Sequence, residues 1–310
     1  PGHPHLGEED VPERGETAER GEEHEIERGI AVTTVHSYSK QEGAPERDDS
    51  GRRIFVPSLM LFRVVREVIP MAVENDPVSV DALGLEHEDV AEYAALADAL
   101  RERVDGEVLF DEYAQLLYAT DGSIYQARPA GAVCPRDVAD VRAAVQVAAA
   151  HDVPVLPRGA GSSLAGQAVG PGCVVLDLSR HMDDVVDVDP DSKTATVQPG
   201  VVQDDLDDAL ADHGLKFAPD PASSNRATVG GGIGNNSTGA HSVRYGITDA
   251  YTERLRVVLA DGSVIETREI VLDSPEYEEV SSGDSLEADL YRTVRAAVEE
   301  NEDEIETRYS

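Results

Sequence analysis

Residues 157–167 read PRGAGSSLAGQ and follow an apolar run, Val153 to Leu156, of the kind that forms a buried strand. Gly159 and Gly161 permit backbone turns and close approaches that bulkier residues forbid, so successive N–H groups can form an anion-binding nest. The Ser162 and Ser163 hydroxyls add donors to it. This is chemistry for holding a phosphate. The spacing is neither GxGxxG opening a helix nor GxxxxGK[ST], so a phosphate-bearing ligand of another kind is implied. Arg158 is the one charge of the loop, able either to neutralise phosphate or to brace the loop against a carboxylate.

A second glycine cluster, RATVGGGIGNNSTGAHSVRYGIT at residues 226–248, is too poor in apolar residues to serve mainly as core. Backbone crowding by a ligand explains it better. The Thr228 and Ser237 hydroxyls, the Gly230 and Gly231 amides and the Asn235 and Asn236 side chains offer donors and acceptors without bulk. Of the histidines that invite a catalytic reading, His181 follows a strand and His213 sits near a helix end, where a cation is favourable. Only His241, inside the second cluster, is placed to approach a ligand, and scaffolding is the ordinary role of a polar residue there. No HExxH or comparable metal-binding spacing occurs.

Taken together, PRGAGSSLAGQ, the PDPASS of residues 219–224 and NNSTG…RYG resemble the FAD-binding domain of the vanillyl-alcohol oxidase (PCMH-type) superfamily. Within it, the likeness is to the glycolate/D-lactate dehydrogenase-like flavoproteins, including those fused to an iron–sulfur module, and it covers about residues 105–310. The resemblance implies that Pro157, Arg158, Gly159, Ala160, Gly161, Ser162 and Ser163 wrap the FAD pyrophosphate, with Gln167 nearby. It places Thr228, Val229, Gly230, Gly231, Asn235, Asn236, Ser237, Gly239, Tyr245 and Gly246 in the flavin pocket, with Pro219 and Asp220 passing close to it. Asp220 reads equally well as a turn residue. Ile265 lies on a strand where relatives present backbone to the adenine. Ser162 stands where some relatives carry a histidine bonded covalently to the flavin, so the FAD is expected to be noncovalent.

The implied parent reaction is hydride transfer from a 2-hydroxy acid such as glycolate or D-lactate to flavin N5, the electrons then leaving to a carrier or an iron–sulfur partner chain. Sugar-lactone oxidation, or a noncatalytic flavin-binding remnant or subunit, are the alternatives. In the resembling dehydrogenases a cap domain follows the flavin domain and supplies the substrate pocket. The sequence ends at Ser310, about where that cap would begin, and the catalytic residues are expected in the cap.

The elements that must position these loops are readable around them. Asp137 and the stripe Val138, Val141, Val145 and Ala148 predict a helix over 136–150, which with strands at Ala132–Val133 and Val153–Leu156 makes a β-α-β unit. Strands are predicted at Cys173–Leu178, Val185–Val188 and Thr194–Gln198, and a helix over Val202–Asp212 closed by Gly214. Asp261–Gly262 predicts a two-residue hairpin between Arg254–Ala260 and Ser263–Thr267. Helices are also expected over 88–104 and 286–309. The fold class expected is α+β, a two-subdomain PCMH-type domain of a parallel β-α-β part and an antiparallel sheet with helices, the glycine segments falling at their junction. Its expected organisation is a disordered or non-native extension over 1–70, a helical segment over 71–104, the FAD-binding domain over 105–270 and an acidic segment with a helix over 271–310. The segment after Met71, MAVENDPVSVD, reads like a native N-terminus.

Composition narrows the setting. The 310 residues include 62 acidic and 26 basic ones, a net charge of −36, and Lys40, Lys193 and Lys216 are the only lysines. Nucleic acid and anionic membranes are excluded as partners of a basic patch. Acidity spread through the folded region points to molar salt, where the Debye length is about 3 Å and self-repulsion is screened; a haloarchaeal cytoplasm fits. Cys134 and Cys173 flank apolar residues and form no CxxC, so this chain alone cannot supply four thiolates to a cluster. The run Ile54–Ile69 is short and carries Arg63, Arg66 and Glu67, so no membrane insertion is expected and the location expected is cytoplasmic. Raising KCl from about 0.1 M to about 2 M should therefore raise the thermal unfolding midpoint; a midpoint that is flat or falls over that range contradicts the salt-adapted reading.

Overall fold

The structure, a computed structural model, describes residues 33–36, 38–39, 53–54 and 89–309. Three short strands come first, β1 (Thr33–His36), β2 (Tyr38–Ser39) and β3 (Arg53–Ile54). β1 runs between residues 194–197 and 252–258, antiparallel to both. This differs from the expectation of an unstructured extension, and its Thr33, Thr34 and Val35 are consecutive β-branched residues, the kind that suits pleated backbone. The rest of the 1–70 extension and the expected start at Met71 lie outside the described residues.

The first lobe contains α1 (Asp89–Glu92), α2 (Ala94–Arg101), β4 (Glu107–Leu109), α3 (Glu112–Leu117), β5 (Gly131–Cys134), α4 (Val138–Ala150), β6 (Val155–Arg158) and β7 (Val174–Asp177). The single helix predicted over 88–104 is two pieces broken at Tyr93. The sheet order is β4-β5-β7-β6, with β5, β7 and β6 parallel and β4 antiparallel. Parallel strands cannot be joined by a tight turn, so α4 makes the crossover from β5 to β6. Its first turn is capped by Asp137, whose carboxylate accepts the Asp140 N–H at 2.9 Å. Val138, Val141, Ala144, Val147 and Ala148 are buried along its inner side, several of them in one core with Leu96, Leu100, Val133 and Leu176. Tyr118, Leu156, Cys173 and Val175 form a second cluster with Ala132. The strands GAVC and VVLD are buried throughout, the continuous apolar reading of parallel strands covered on both faces. β6 begins two residues later than the predicted Val153 and runs through Pro157 to Arg158. It is an edge strand, where a sheet tolerates a residue without an N–H.

The second lobe contains β8 (Val185–Asp189), β9 (Thr194–Val197), α5 (Gln203–Ala211), β10 (Leu215–Lys216), α6 (Val229–Gly234), α7 (Ser242–Tyr245), a 3-10 turn at Thr248–Tyr251, β11 (Thr252–Val258), β12 (Val264–Thr267) and β13 (Ile270–Val271). Its antiparallel sheet has the order β12-β11-β1-β9-β8. Val197, Leu206, Leu210, Val229, Ile233 and Tyr251 make its core, and the Phe217 and Tyr251 rings meet edge to face at 6.2 Å. The β11–β12 connection is wider than the two-residue turn predicted. Leu259 N–H donates to Ser263 O and Gly262 N–H to Leu259 O, which leaves a three-residue loop with Gly262 at a φ of 80°. Helices α8 (Pro275–Ser281), α9 (Leu286–Glu300) and α10 (Glu302–Tyr309) follow. The helix predicted over 286–309 therefore breaks at Asn301. Arg142 on α4 ties the lobes, its Nε donating to Gly262 O at 2.9 Å. Parallel and antiparallel sheets thus sit in two joined lobes, the α+β arrangement expected. No helix among the described residues is long and apolar enough to cross a membrane.

Cys173 gives the first lobe a pH signature. Its Sγ–H donates to Gly170 O at 3.1 Å, and burial pushes the thiol from an ordinary value near 9 up to about 12. The folded chain keeps this proton where the unfolded chain gives it up, so the thiol's contribution is whole below about pH 9 and is lost as pH rises towards 12. Urea unfolding between pH 9 and 12 should show Cys173→Ala losing stability less steeply than the parent; parallel slopes contradict this.

Candidate functional site

A cleft of about 1040 Å³ opens between the two lobes, at the top of the roughly 300–1,000 Å³ common for small-molecule sites. Both glycine segments line it. The first is the loop leaving the carboxyl end of β6, the place where α/β sheets put ligands. The second starts from Thr228, whose Oγ accepts the Gly231 N–H at 3.3 Å and caps α6.

The first loop is held from its flanks. Arg158 Nη1 donates to Ala168 O and Nη2 to Thr120 O, both at 2.9 Å, and its guanidinium lies 5.5 Å from the centre of the Tyr118 ring. Of the two roles open to Arg158 in the sequence, bracing is the one seen, with backbone carbonyls rather than a carboxylate as partners. Tyr118 is fixed in turn, its hydroxyl donating to Asp177 Oδ2 at 2.6 Å. Burial first, then the Asp177 carboxylate, push the Tyr118 pKa far above its ordinary value, so it stays a donor. Gly122 N–H donates to Gly161 O at 2.8 Å and Ala168 N–H to Asp121 Oδ2 at 3.2 Å, so the turn 120–122 clips both ends of the loop. Gly161 has a φ of 65°, and a side-chain carbon on it would come within 2.5 Å of Arg158 Nη2. Only glycine meets both demands.

Thus held, the loop leaves its own donors unused. Among the described residues, the backbone N–H groups of Gly159, Ala160, Gly161, Ser162 and Ser163 meet no acceptor, and all five residues line the cleft. Five consecutive amides without an internal acceptor at a cleft wall are donors that water or a ligand can take.

The second segment meets the first directly. Asn235 Nδ2 donates to Ser163 Oγ at 3.3 Å, and Gly159 packs on the Thr228 hydroxyl so closely that any side chain at 159 would collide with it. The Gly230 and Gly231 amides, offered as ligand donors by the sequence, are already engaged, the former with Pro199 O at 2.9 Å and the latter with Thr228. What these glycines contribute is an uncluttered wall.

Of the residues singled out in the sequence, the cleft brings together Pro157, Arg158, Gly159, Ala160, Gly161, Ser162, Ser163, Gln167, Thr228, Gly230, Gly231, Asn235 and Ser237. Pro219, Asp220, Val229, Asn236, Gly239, Tyr245, Gly246 and Ile265 do not line it. Val229 is core, Ile265 is buried in β12, and Asn236 Oδ1 accepts the Asp249 N–H at 2.9 Å. Asp220 has a φ of 45° and sets its carboxylate between Lys216, at 3.4 Å, and His241, at 2.9 Å. Its backbone oxygen accepts the Ala240 N–H, so PDPASS and the second segment support each other. His241 is thereby spoken for beside Asp220, and no histidine lines the cleft among the described residues. No group of three metal-ligating side chains occurs among them either. Thr120, Asp121, Gly122, Pro199 and Gln203 line the cleft without having been singled out. The turn 120–122 carries the polar, turn-forming signal TDGS, but only the tertiary structure shows which loop it supports.

Comparison with known proteins agrees with this geometry. Residues 129–268 match the family described as FAD binding domain. The chain is 34% identical over 223 residues to D-2-hydroxyglutarate dehydrogenase of Pseudomonas putida, covering 71% of this chain and 22% of that protein. It is 36% identical over 168 residues to glycolate oxidase subunit GlcD of Bacillus subtilis, covering 53% of this chain and 36% of that one. Among solved structures it is similar to xylooligosaccharide oxidase from Myceliophthora thermophila, with a TM-score of 0.50 and 27% identity over 56% of this chain and 37% of that chain. It shares the fold of p-cresol methylhydroxylase, TM-score 0.50 at 22% identity, over 59% of this chain and 36% of that chain. The chain thus spans between about a fifth and two fifths of the length of these relatives.

FAD suits the residues present. The first-loop amides, unpaired among the described residues, match a pyrophosphate, and the carboxamide of Gln203, buried with no partner among those residues, matches a neutral polar part. Gly161→Val should cost about 1–3 kcal/mol of stability by its backbone conformation alone and, by displacing Arg158, weaken FAD binding at least tenfold. Flavin-fluorescence titration checks this, and tight FAD binding retained in the folded variant contradicts it.

Proposed function

We propose, on the premise that residues 129–268 are an FAD-binding domain, that this chain is the flavin-holding part of a dehydrogenase or oxidase acting on a 2-hydroxy acid of the glycolate, D-lactate or D-2-hydroxyglutarate kind. The names of its relatives from Pseudomonas putida and Bacillus subtilis support that substrate class. When bound, the flavin supplies the hydride acceptor for oxidation of the substrate CH–OH.

The chain's own residues do the holding. Gly159 to Ser163 offer their amides to the pyrophosphate, with the Ser162 and Ser163 hydroxyls beside them. Arg158 holds that loop in register instead of meeting the anion, because its guanidinium already serves two carbonyls. Thr228, Gly230, Gly231, Asn235 and Ser237 form the opposite wall. A noncovalent cofactor is supported by Ser162 in the loop and by a cleft lined by neither histidine nor cysteine among the described residues. The observation that carries the reading is the run of five backbone N–H groups, unpaired among the described residues, in a cleft that a second, side-chain-poor segment also lines.

One feature favours a second reading. Among the described residues lining the cleft, the charged groups are Asp121, Arg158 and Arg226, and none is a proton acceptor of the histidine type. A flavin-binding subunit whose substrate groups and electron carrier, iron–sulfur or other, come from a partner chain would look the same. We place the protein in a cytoplasm of molar salt, which the net charge of −36 and the unpaired, buried Cys134 and Cys173 support.

Reconstitution with FAD in about 2 M KCl, followed without oxygen by D-2-hydroxyglutarate, glycolate, D-lactate or a sugar lactone, tests both readings. The proposal expects a bound yellow flavin that one of the hydroxy acids bleaches and the lactone does not. Bound flavin that none of them bleaches supports the subunit reading. A folded protein that takes up no FAD contradicts both.

A further inference from the structure

We propose that Gln203 contacts the cofactor through a neutral edge carrying both a donor and an acceptor, a sugar-alcohol hydroxyl or a ring amide, and not through the phosphates; this rests on the FAD reading above. Gln203 opens α5, and its backbone N–H donates to Ala227 O at 3.0 Å, which fixes it against the start of the second glycine segment. The residue is 2% exposed, yet it lines the cleft. Neither Nε2 nor Oε1 has a hydrogen-bond partner among the described residues. Among the described residues, the other side chains with a buried, unpartnered polar atom, Glu112, Gln115, His181 and Thr267, do not line the cleft. Nε2 packs over Gly232, where a side-chain carbon would stand 2.8 Å from it, so this wall leaves the carboxamide its space.

Burial without partners is unfavourable for such a group, and native folds keep few of them. A ligand that repairs it must satisfy both ends. A phosphate oxygen would accept from Nε2 but would set an anion against the Oε1 lone pairs, whereas a hydroxyl or a ring N–C=O unit can accept from one and donate to the other. FAD carries such groups on its ribityl chain, its isoalloxazine ring and its adenosine.

Titration of the whole chain with FAD, ADP and inorganic pyrophosphate, alongside thermal melts without ligand, tests the assignment in Gln203→Leu and in the near-isosteric Gln203→Glu. Loss of a polar group that the free protein leaves unpaired should hold or raise the ligand-free melting temperature of Gln203→Leu, while its FAD Kd rises about tenfold. Gln203→Glu, which trades the donor for a negative charge, should weaken FAD as well and carries the test if the leucine variant does not fold. ADP affinity unchanged places the edge on the flavin–ribityl half, and ADP weakened by the same factor places it on the adenosine half; both support the proposal. An FAD Kd within about twofold of the parent overturns it, as does equal weakening of FAD, ADP and pyrophosphate, which would make the contact a phosphate one. Parent protein that binds FAD in the same titration leaves the functional reading standing whichever way the variants fall.

Discussion

The cleft depends on one clasp. Arg158 reaches to Ala168 O on one side and to Thr120 O on the other, and so holds a glycine loop whose backbone makes few bonds of its own. A loop that satisfied its amides internally would need no such clasp and would have nothing left to offer a ligand. Leaving five N–H groups unpaired among the described residues is tolerable at a cleft wall because water can serve them, and in the function proposed above an anion can replace that water with little rearrangement. The order of support runs inward from the lobe's core: Asp177 ends the buried strand β7, Asp177 holds Tyr118, and Tyr118 lies under Arg158. The same side chain explains why position 161 must be glycine, since the guanidinium occupies the space a side chain would need.

The local grip works against the field of the whole molecule. A chain of net charge −36 repels a dinucleotide that is itself an anion, and at low ionic strength that repulsion is felt over tens of ångströms. At molar salt the Debye length shrinks to about 3 Å, which removes the long-range opposition while hydrogen bonds at contact distance persist. No lysine lines the cleft among the described residues, and Arg158 is engaged with carbonyls. In the function proposed above, oriented amides, which add no formal charge to the surface, hold the phosphate in a cleft whose cations are Arg158 and Arg226 among the described residues.

Much of this was legible in the sequence, and unevenly so. The β-α-β unit was plain because the helix stripe Val138, Val141, Val145 and Ala148 and the cap Asp137 are local signals; the structure buries the stripe except for Val145, which is half-buried, and shows the cap. That PRGAGSSLAGQ and the first part of the 226–248 segment share one cleft was also readable, since side-chain-poor stretches of that length have little use in a core; residues 239–248 do not line it. Other features escaped because they are properties of the assembled fold. Whether Arg158 faces an anion or a carbonyl depends on where residues 120 and 168 come to lie. Gln203 looks like any polar helix residue until tertiary packing closes around it without a partner. The Gly230 and Gly231 amides looked free, but Pro199 O and the Thr228 hydroxyl take them. Strand β1 was missed because a lone TTVH in a charged, glycine-rich stretch gives a weak signal against its surroundings.

The central claim is that two segments separated in sequence close on one ligand through main-chain donors. Hydrogen exchange of the backbone amides, with and without FAD in high salt, addresses it most directly. Peptides covering residues 157–168 and 226–238 should become protected together and to a similar half-saturation, while the β5 and β7 peptides, already buried, hardly change. Protection of neither segment on addition of FAD, or of only one of them, would contradict it.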